Sequence, residues 1–299
     1  MDASALLRTS ARTLLRRPAY AALVIATLAL GIGGATSIFA LVQGVLLRPL
    51  PYGDADRIVT FDVKSRVGNY ISLSIPNFDD WRDRSRAFES FGASAGWGFV
   101  RETPDGAERV DARAVLGDFF ETLGLSAEVG RVIPSAETGP GAAPTAVLGH
   151  AFWERALGAD PEVVGRSVTL DGQPYTVVGV LPAGVGYPRP DVEVYVPMGF
   201  MSDDLPWHDR DSSFGTRAFA RLAAGSDLAR AQQDMNRVTA EVDAVEGKVG
   251  VTAEVRTLSD LLVGDVRRGL WLLMAGVALV LLIAGANVAN LALARGEGR

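Results

Sequence analysis

Two stretches of this chain carry no charged side chain: Ala19–Leu47, 29 residues, and Leu270–Ala294, 25 residues. About 20 apolar residues cross a bilayer as a helix, so both read as transmembrane helices. At about 1.5 Å per residue the first is roughly 43 Å long, more than a hydrocarbon core of about 30 Å, and the surplus goes into tilt or a short stalk. Arg8, Arg12, Arg16 and Arg17 precede it, which puts the N-terminal segment 1–18 in the cytoplasm. A cleaved signal peptide is the competing reading, with Ala35-Thr36-Ser37 as its small-residue site. The apolar run continues past that site, which favours an uncleaved anchor. Two spans then leave both termini cytoplasmic and residues 48–269 outside. Small residues repeat every four positions at Ala29, Gly33 and Ser37, and again at Gly285 and Ala289 beside Asn287 and Asn290. These seven are the candidate helix-packing positions, because small residues let backbones approach in lipid and amides avoid facing it.

Between the spans the pattern is mixed. Ile58–Val63 predicts a strand. Ser74 caps a helix with Pro76 in its first turn, and Phe78, Trp81 and Phe88 fall on one face. Ala107–Val115 predicts a strand, Asp118–Leu123 a short helix, Thr145–Leu148 a strand and His150–Leu157 a helix. Arg166–Leu170 and Tyr175–Leu181 flank Asp171-Gly172, a hairpin turn signal. Val192, Val194 and Val196 alternate with Asp191, Glu193 and Tyr195, as in a half-buried strand. Ser202–Ser213 reads as a loop and Phe214–Leu222 as a strand. Leu228, Ala231, Met235, Val238, Val242 and Val245 are spaced as one helix face, with Arg230/Asp234 and Arg237/Glu241 at i,i+4. That face meets a core or, less simply, a coiled-coil partner. Val249–Arg256 predicts the last strand. The expected class is α+β: two transmembrane helices flanking a two-lobed mixed α/β extracytoplasmic domain. Lobe 1 takes about 56–115 plus 214–256, and an inserted lobe 2 about 116–213.

Charge sharpens this picture. Residues 48–269 hold 23 basic and 33 acidic side chains, a balance that disfavours nucleic acid as partner. The chain has no Cys, which excludes disulfides, Cys-ligated zinc and a Cys nucleophile. It has no Walker A loop, which needs Gly-Lys-Ser/Thr: of its only lysines, Lys64 follows Val63 and Lys248 is followed by Val249. Gly92-Ala93-Ser94-Ala95-Gly96 matches a GxSxG elbow in letters. A helix-like segment precedes it and an extended one follows, the reverse of what an elbow needs. Asp203, Asp204, His208, Asp209 and Asp211 form an acidic loop without the glycine or terminal Glu of an EF-hand. His150, beside Phe152 and Trp153, reads as structural. No catalytic, cofactor or metal residue is nominated, and the chain is expected not to be an enzyme.

Several segments together resemble the MacB/FtsX-type ABC permeases, most of all the duplicated orphan permeases. They are Leu14-Leu15-Arg16-Arg17-Pro18, Thr27 through Gly33, Leu46 through Tyr52, Phe119 through Gly124, Val129-Gly130-Arg131, Phe152-Trp153, Val164-Gly165-Arg166, Val177 through Pro182, and Asn287 through Leu291 with Ala294-Arg295. Ala35 and Gly285 depart from the residues usual there. The resemblance implies a MacB-like periplasmic core domain at 48–269 and a bacterial inner-membrane location. It also implies a permease that transmits ATP-driven motion to its periplasmic domain for efflux or extrusion. ATP would act only through a separate ABC ATPase subunit. The other implied partners are a second permease unit or homodimer, membrane lipid and a periplasmic protein. By the same resemblance residues 295–299 are a truncated cytoplasmic tail, and the sequence is an N-terminal fragment. The alternative is a two-span envelope sensor or scaffold that binds a periplasmic partner without transport.

Overall fold

The structure is a computed structural model, which describes residues 18–43, 50–65, 72–104, 106–201, 210, 215–246 and 251–296. The chain divides into two compact units, Leu50–Leu261 and the paired ends Met1–Pro49 with Leu262–Arg299.

The larger unit is built on one mixed sheet of ten strands in the order β10-β1-β9-β2-β3-β8-β5-β7-β4, with β6 on β7. The strands are β1 (Ile58–Lys64), β2 (Phe88–Thr103), β3 (Gly106–Gly117), β4 (Val129–Gly130), β5 (Thr145–Leu148), β6 (Ser167–Leu170), β7 (Gln173–Val180), β8 (Val194–Pro197), β9 (Arg217–Leu222) and β10 (Thr252–Thr257). Helix α1 is Pro18–Val42, α2 Ile75–Arg84, α3 Phe119–Leu123, α4 His150–Leu157, α5 Leu228–Glu246 and α6 Leu258–Gly296.

Local chemistry explains several elements directly. Ser74 Oγ accepts the Asn77 N–H at 3.3 Å, with Pro76 in the first turn of α2. Asp171 (φ 48°) and Gly172 (φ 75°) close the β6–β7 hairpin in the left-handed region that a primed turn needs. On α5, Ala231, Met235, Val238 and Val242 are buried, whereas the end positions Leu228 and Val245 are exposed. Helices α2 and α5 cover β1, β2, β9 and β10, so that Phe61, Phe78, Trp81, Phe91, Met235 and Val238 form one core. Helix α4 covers the other half, where Phe152 and Trp153 pack with Leu148, Val177 and Val194.

The sheet runs through both expected lobes without a break. β2 and β3 pair from Gly92↔Gly117 to Thr103↔Gly106, and their outer halves place Phe99, Val110 and Ala112 in the α4 core. The helix-like reading of the segment before Gly92 gives way to a 16-residue strand. Its odd positions Phe91, Ala93, Ala95, Trp97 and Phe99 share one face, a period of two hidden by glycines at the even positions. Phe88 opens this strand rather than extending the α2 face, and meets the same core through Phe61 at 5.7 Å. β8 is buried on both faces. Tyr195, expected to point outward, is fully buried against Phe119 and Phe120, both at 5.7 Å.

In the smaller unit, α1 and α6 approach at Gly31, where a methyl group would come within 2.9 Å of Leu281 Cδ2. Gly33 and Gly285 have open space at that position, and Ala29 and Ser37 are exposed. The side chains of Asn287, Ala289 and Asn290 lie outside the described residues, as does the acidic run Asp203, Asp204, His208, Asp209 and Asp211. Among the described residues no helix is long and apolar enough to cross a membrane; the spanning of Ala19–Leu47 and Leu270–Ala294 rests on the sequence.

Candidate functional site

The chain enters and leaves the sheet at one corner. β1 and β10 are antiparallel neighbours, and Val59 lies opposite Thr257, so the second residue of the first strand faces the last residue of the last. α6 starts at the next residue, Leu258, which is fully buried. Thr257 Oγ1 accepts the Asp260 N–H at 3.0 Å and so caps that helix from within the strand.

Buried polar groups hold the incoming segment. The Tyr52 hydroxyl donates to the Gly186 carbonyl at 2.9 Å. Burial, and then the neighbouring Tyr187 and Tyr195, push its pKa well above the ordinary phenol value. Arg221, on the β9 face opposite α2 and α5, is only 8 % exposed. Its Nη2 donates to the carbonyls of Gly53 at 2.8 Å and Thr122 at 2.7 Å. A longer bond of 3.4 Å runs from Nη1 to Asp54 O. A guanidinium suits this place because its fixed fork serves several carbonyls at once and keeps its charge when buried. Arg57 donates through Nε to Leu222 O at 3.2 Å and pairs with Glu89 at 2.6 Å. Asp54 takes φ 46°, the left-handed turn that brings the chain into β1.

On the outgoing side the exposed edge of β10 is held by one side chain of α5. Gln232 Nε2 donates to Ala253 O, and Gln232 Oε1 accepts the Val255 N–H, both at 2.8 Å. The amide thus takes the place of one peptide group of a further strand. Three anchors, Arg221, Tyr52 and Gln232, therefore tie the two ends of the domain to β9, to the 182–192 connection and to α5. Arg221 and Gln232 did not stand out in the sequence, and Tyr52 did so only as the last residue of the segment Leu46–Tyr52 that carries the resemblance. Arg221 shares a strand face with Arg217 and Phe219, a mixture without an inside–outside signature.

The sequence-level chemistry is dispersed. Ser94 lies inside β2, paired with Val115 and Arg217, with no strand-to-helix turn around it. Its Oγ is buried without a hydrogen-bond partner. His150 is engaged elsewhere, through Nδ1 to Glu128 and through Nε2 to Glu154 at 3.4 Å. Among the described residues no three side chains gather as metal ligands. Tyr187 is pushed up to about 12 by burial.

The family model of the MacB-like periplasmic core domain matches residues 21–238. The chain belongs to this family. Its fold is similar to the periplasmic region of MacB from Actinobacillus actinomycetemcomitans, with a TM-score of 0.52 at 13% identity over 77% of this chain and 98% of that one. A domain of a putative permease protein from Porphyromonas gingivalis gives a TM-score of 0.52 at 12% identity over 69% and 93%. The extracellular domain of the noncanonic ABC-type transporter YknZ from Gram-positive bacteria is 13% identical over 66% and 98%, with a TM-score of 0.49. A search of curated proteins found no match. The MacB-like domain here is therefore a mixed α/β domain of extracytoplasmic type, from a family of ABC-transporter permeases.

Proposed function

We propose that this chain belongs to a permease that passes ATP-driven motion through two membrane helices into its periplasmic domain, for efflux or extrusion. In this reading α1 and α6 carry the spans, both termini are cytoplasmic, and a separate ABC ATPase supplies the stroke to a pair of permease units. The chain itself performs no chemistry. The carrying observation is the shared corner, where Val59 and Thr257 are direct partners and α6 begins one residue after β10. A relative displacement of the two helices then acts on neighbouring strands rather than on remote parts of the domain. The large apolar side chains Ile32, Phe39, Leu41, Trp271, Leu272 and Leu282 are exposed on these helices, which suits lipid or a second unit as their surroundings.

The test is to co-express the complete permease with its ATPase and tie the helices together. Cysteines at Gly31 and Leu281, which nearly touch, are joined by a short crosslinker in this otherwise cysteine-free sequence. Export is expected to stop on crosslinking and resume on cleavage of the link. Unchanged export with the helices joined refutes the transmission reading. Recovery of an envelope enzyme or kinase instead of an ATPase from native membranes would support the scaffold alternative.

A further inference from the structure

An open dish of about 280 Å³ lies between the end of α2 and the outer side of α5, lined by Arg86, Ala87, Arg230, Gln233, Asp234 and Arg237. Positions 230, 233, 234 and 237 form one stripe of α5, because neighbours on a helix surface lie three and four residues apart. The expected pair of Arg230 with Asp234 is not made. Asp234 instead accepts the backbone N–H groups of Arg86 and, at 2.8 Å, Ala87, and takes Arg237 Nη2 at 2.6 Å. Burial opposes its charge, but the Arg86 N–H, the Arg237 guanidinium and the Ala87 N–H outweigh that and hold its carboxyl below the usual range. The one carboxylate of the dish is thus fully committed. Arg237 is committed too, to Asp234, to Glu241 at 2.7 Å and to Arg84 O at 2.8 Å.

Arg86 and Arg230 remain. Both are exposed, and among the described residues neither guanidinium meets a carboxylate. Three arginines and one carboxylate line the dish, and Glu241 pairs with Arg237 from outside the lining, so the local balance stays positive, inside a segment 48–269 where acidic side chains outnumber basic ones by 33 to 23. A guanidinium presents a planar fork of donors that matches the two oxygens of a carboxylate or phosphate. Gln233, between them on the stripe, adds an amide. The volume, at the low end of ligand sites (about 300 Å³ and upward), suits a small charged group rather than a whole cofactor.

We propose that this dish binds an oxyanion, a carboxylate or phosphate group, clamped by Arg86 and Arg230 against the fixed Asp234–Arg237 wall. The group comes either from a free small polyanion or from an acidic segment of a polypeptide. The inference is independent of the transmission reading.

The test uses the full chain in a neutral detergent at low ionic strength. It is titrated separately with citrate, with inorganic phosphate and with a glutamate-rich peptide, and a glutamine analogue of the peptide serves as the neutral control. Saturable binding is expected for at least one anion and none for the glutamine analogue. Arg86→Ala and Arg230→Ala should each weaken binding about tenfold and together about a hundredfold, and lysine at either position should restore part of it. The Arg86 backbone N–H that holds Asp234 survives the substitution, so the fold and its melting temperature should not change. Citrate or phosphate binding identifies a free anion as the source; binding of the peptide alone identifies a polypeptide. Absence of saturable binding by all three anions overturns the proposal. So does an equal loss in Arg109→Ala, an exposed arginine on β3 outside the dish, because the attraction would then be diffuse.

Discussion

Replacing Arg221 by Met should loosen the root of the domain without dissolving its cores. The side chain is 8 % exposed and donates to Gly53 O at 2.8 Å and Thr122 O at 2.7 Å. Hydrogen bonds to a charged group contribute about 1.5–3 kcal/mol each, so two give roughly 3–6 kcal/mol. Met retains the apolar stem, and Gly53 and Asp54 are exposed, so water can satisfy part of what is lost. A net loss of about 3 kcal/mol follows, or roughly a hundredfold in an opening equilibrium. The cost should fall on the segment that the guanidinium ties down, since stability is distributed in local units. Hydrogen exchange read by mass spectrometry on the full chain in detergent should show faster exchange by about two orders of magnitude at residues 53–58 and 122–125. β5 and β7 should change little. Arg217→Met, four residues away on the same strand face and exposed, is the control and should be silent. Protection at 53–58 within threefold of the parent would refute the assignment of Arg221 as the anchor. Equal acceleration in β5 and β7 would mean that the whole domain had been destabilised.

Three further outcomes follow from the same geometry. Gln232→Ala uncovers the Ala253 carbonyl and Val255 N–H on the sheet edge; it should cost about 1–2 kcal/mol and raise concentration-dependent self-association in light scattering, because an open edge pairs with other strands. The carboxyl of Asp234 is held below its ordinary value, so its contribution is complete above the unfolded-state pKa and disappears as pH falls through the lower native value. Asp234→Asn should therefore lower the melting temperature at neutral pH and flatten the acid limb of a pH–stability profile; an unchanged acid limb would show that the carboxylate is not a folding determinant. Ser94→Ala removes a buried hydroxyl that has no partner and should leave stability unchanged or slightly raised in urea titration, with no change in any ester turnover by the purified chain. Loss of such turnover would instead make Ser94 a nucleophile.

Much of the fold is written locally. The Ser74 cap, the Asp171-Gly172 turn and the α5 stripe depend on neighbours within a turn or two, and each appears in the structure where those residues stand. β2 was legible in principle, since its apolar odd positions alternate, but the glycines of Gly92, Gly96 and Gly98 mask the period. The extent of the lobes was not legible. A β2–β3 hairpin that serves two cores shows no change of pattern where it passes from one to the other, because the same alternation suits both. Gly31 was passed over for Gly33 for a related reason: spacing marks which residues share a ridge, not which ridge faces the other helix.

The family was carried by the order of short segments along the chain, and the charge pattern marked two uncharged runs around an acidic middle. These are properties of residues counted along a line. Tertiary structure alone decided which residues hold the corner where the chain enters and leaves the sheet. Val59 and Thr257 are 198 positions apart in number and become partners only when β1 and β10 pair. Arg221 reaches the carbonyls of Gly53 and Thr122 across 168 and 99 positions, and Arg86 joins Arg230 only when α2 and α5 pack on one sheet face. Periodicity and capping report on contacts within a helix turn or along a strand. Contacts that close long loops are selected by the packing of whole layers, and a single side chain carries no sign of them beforehand.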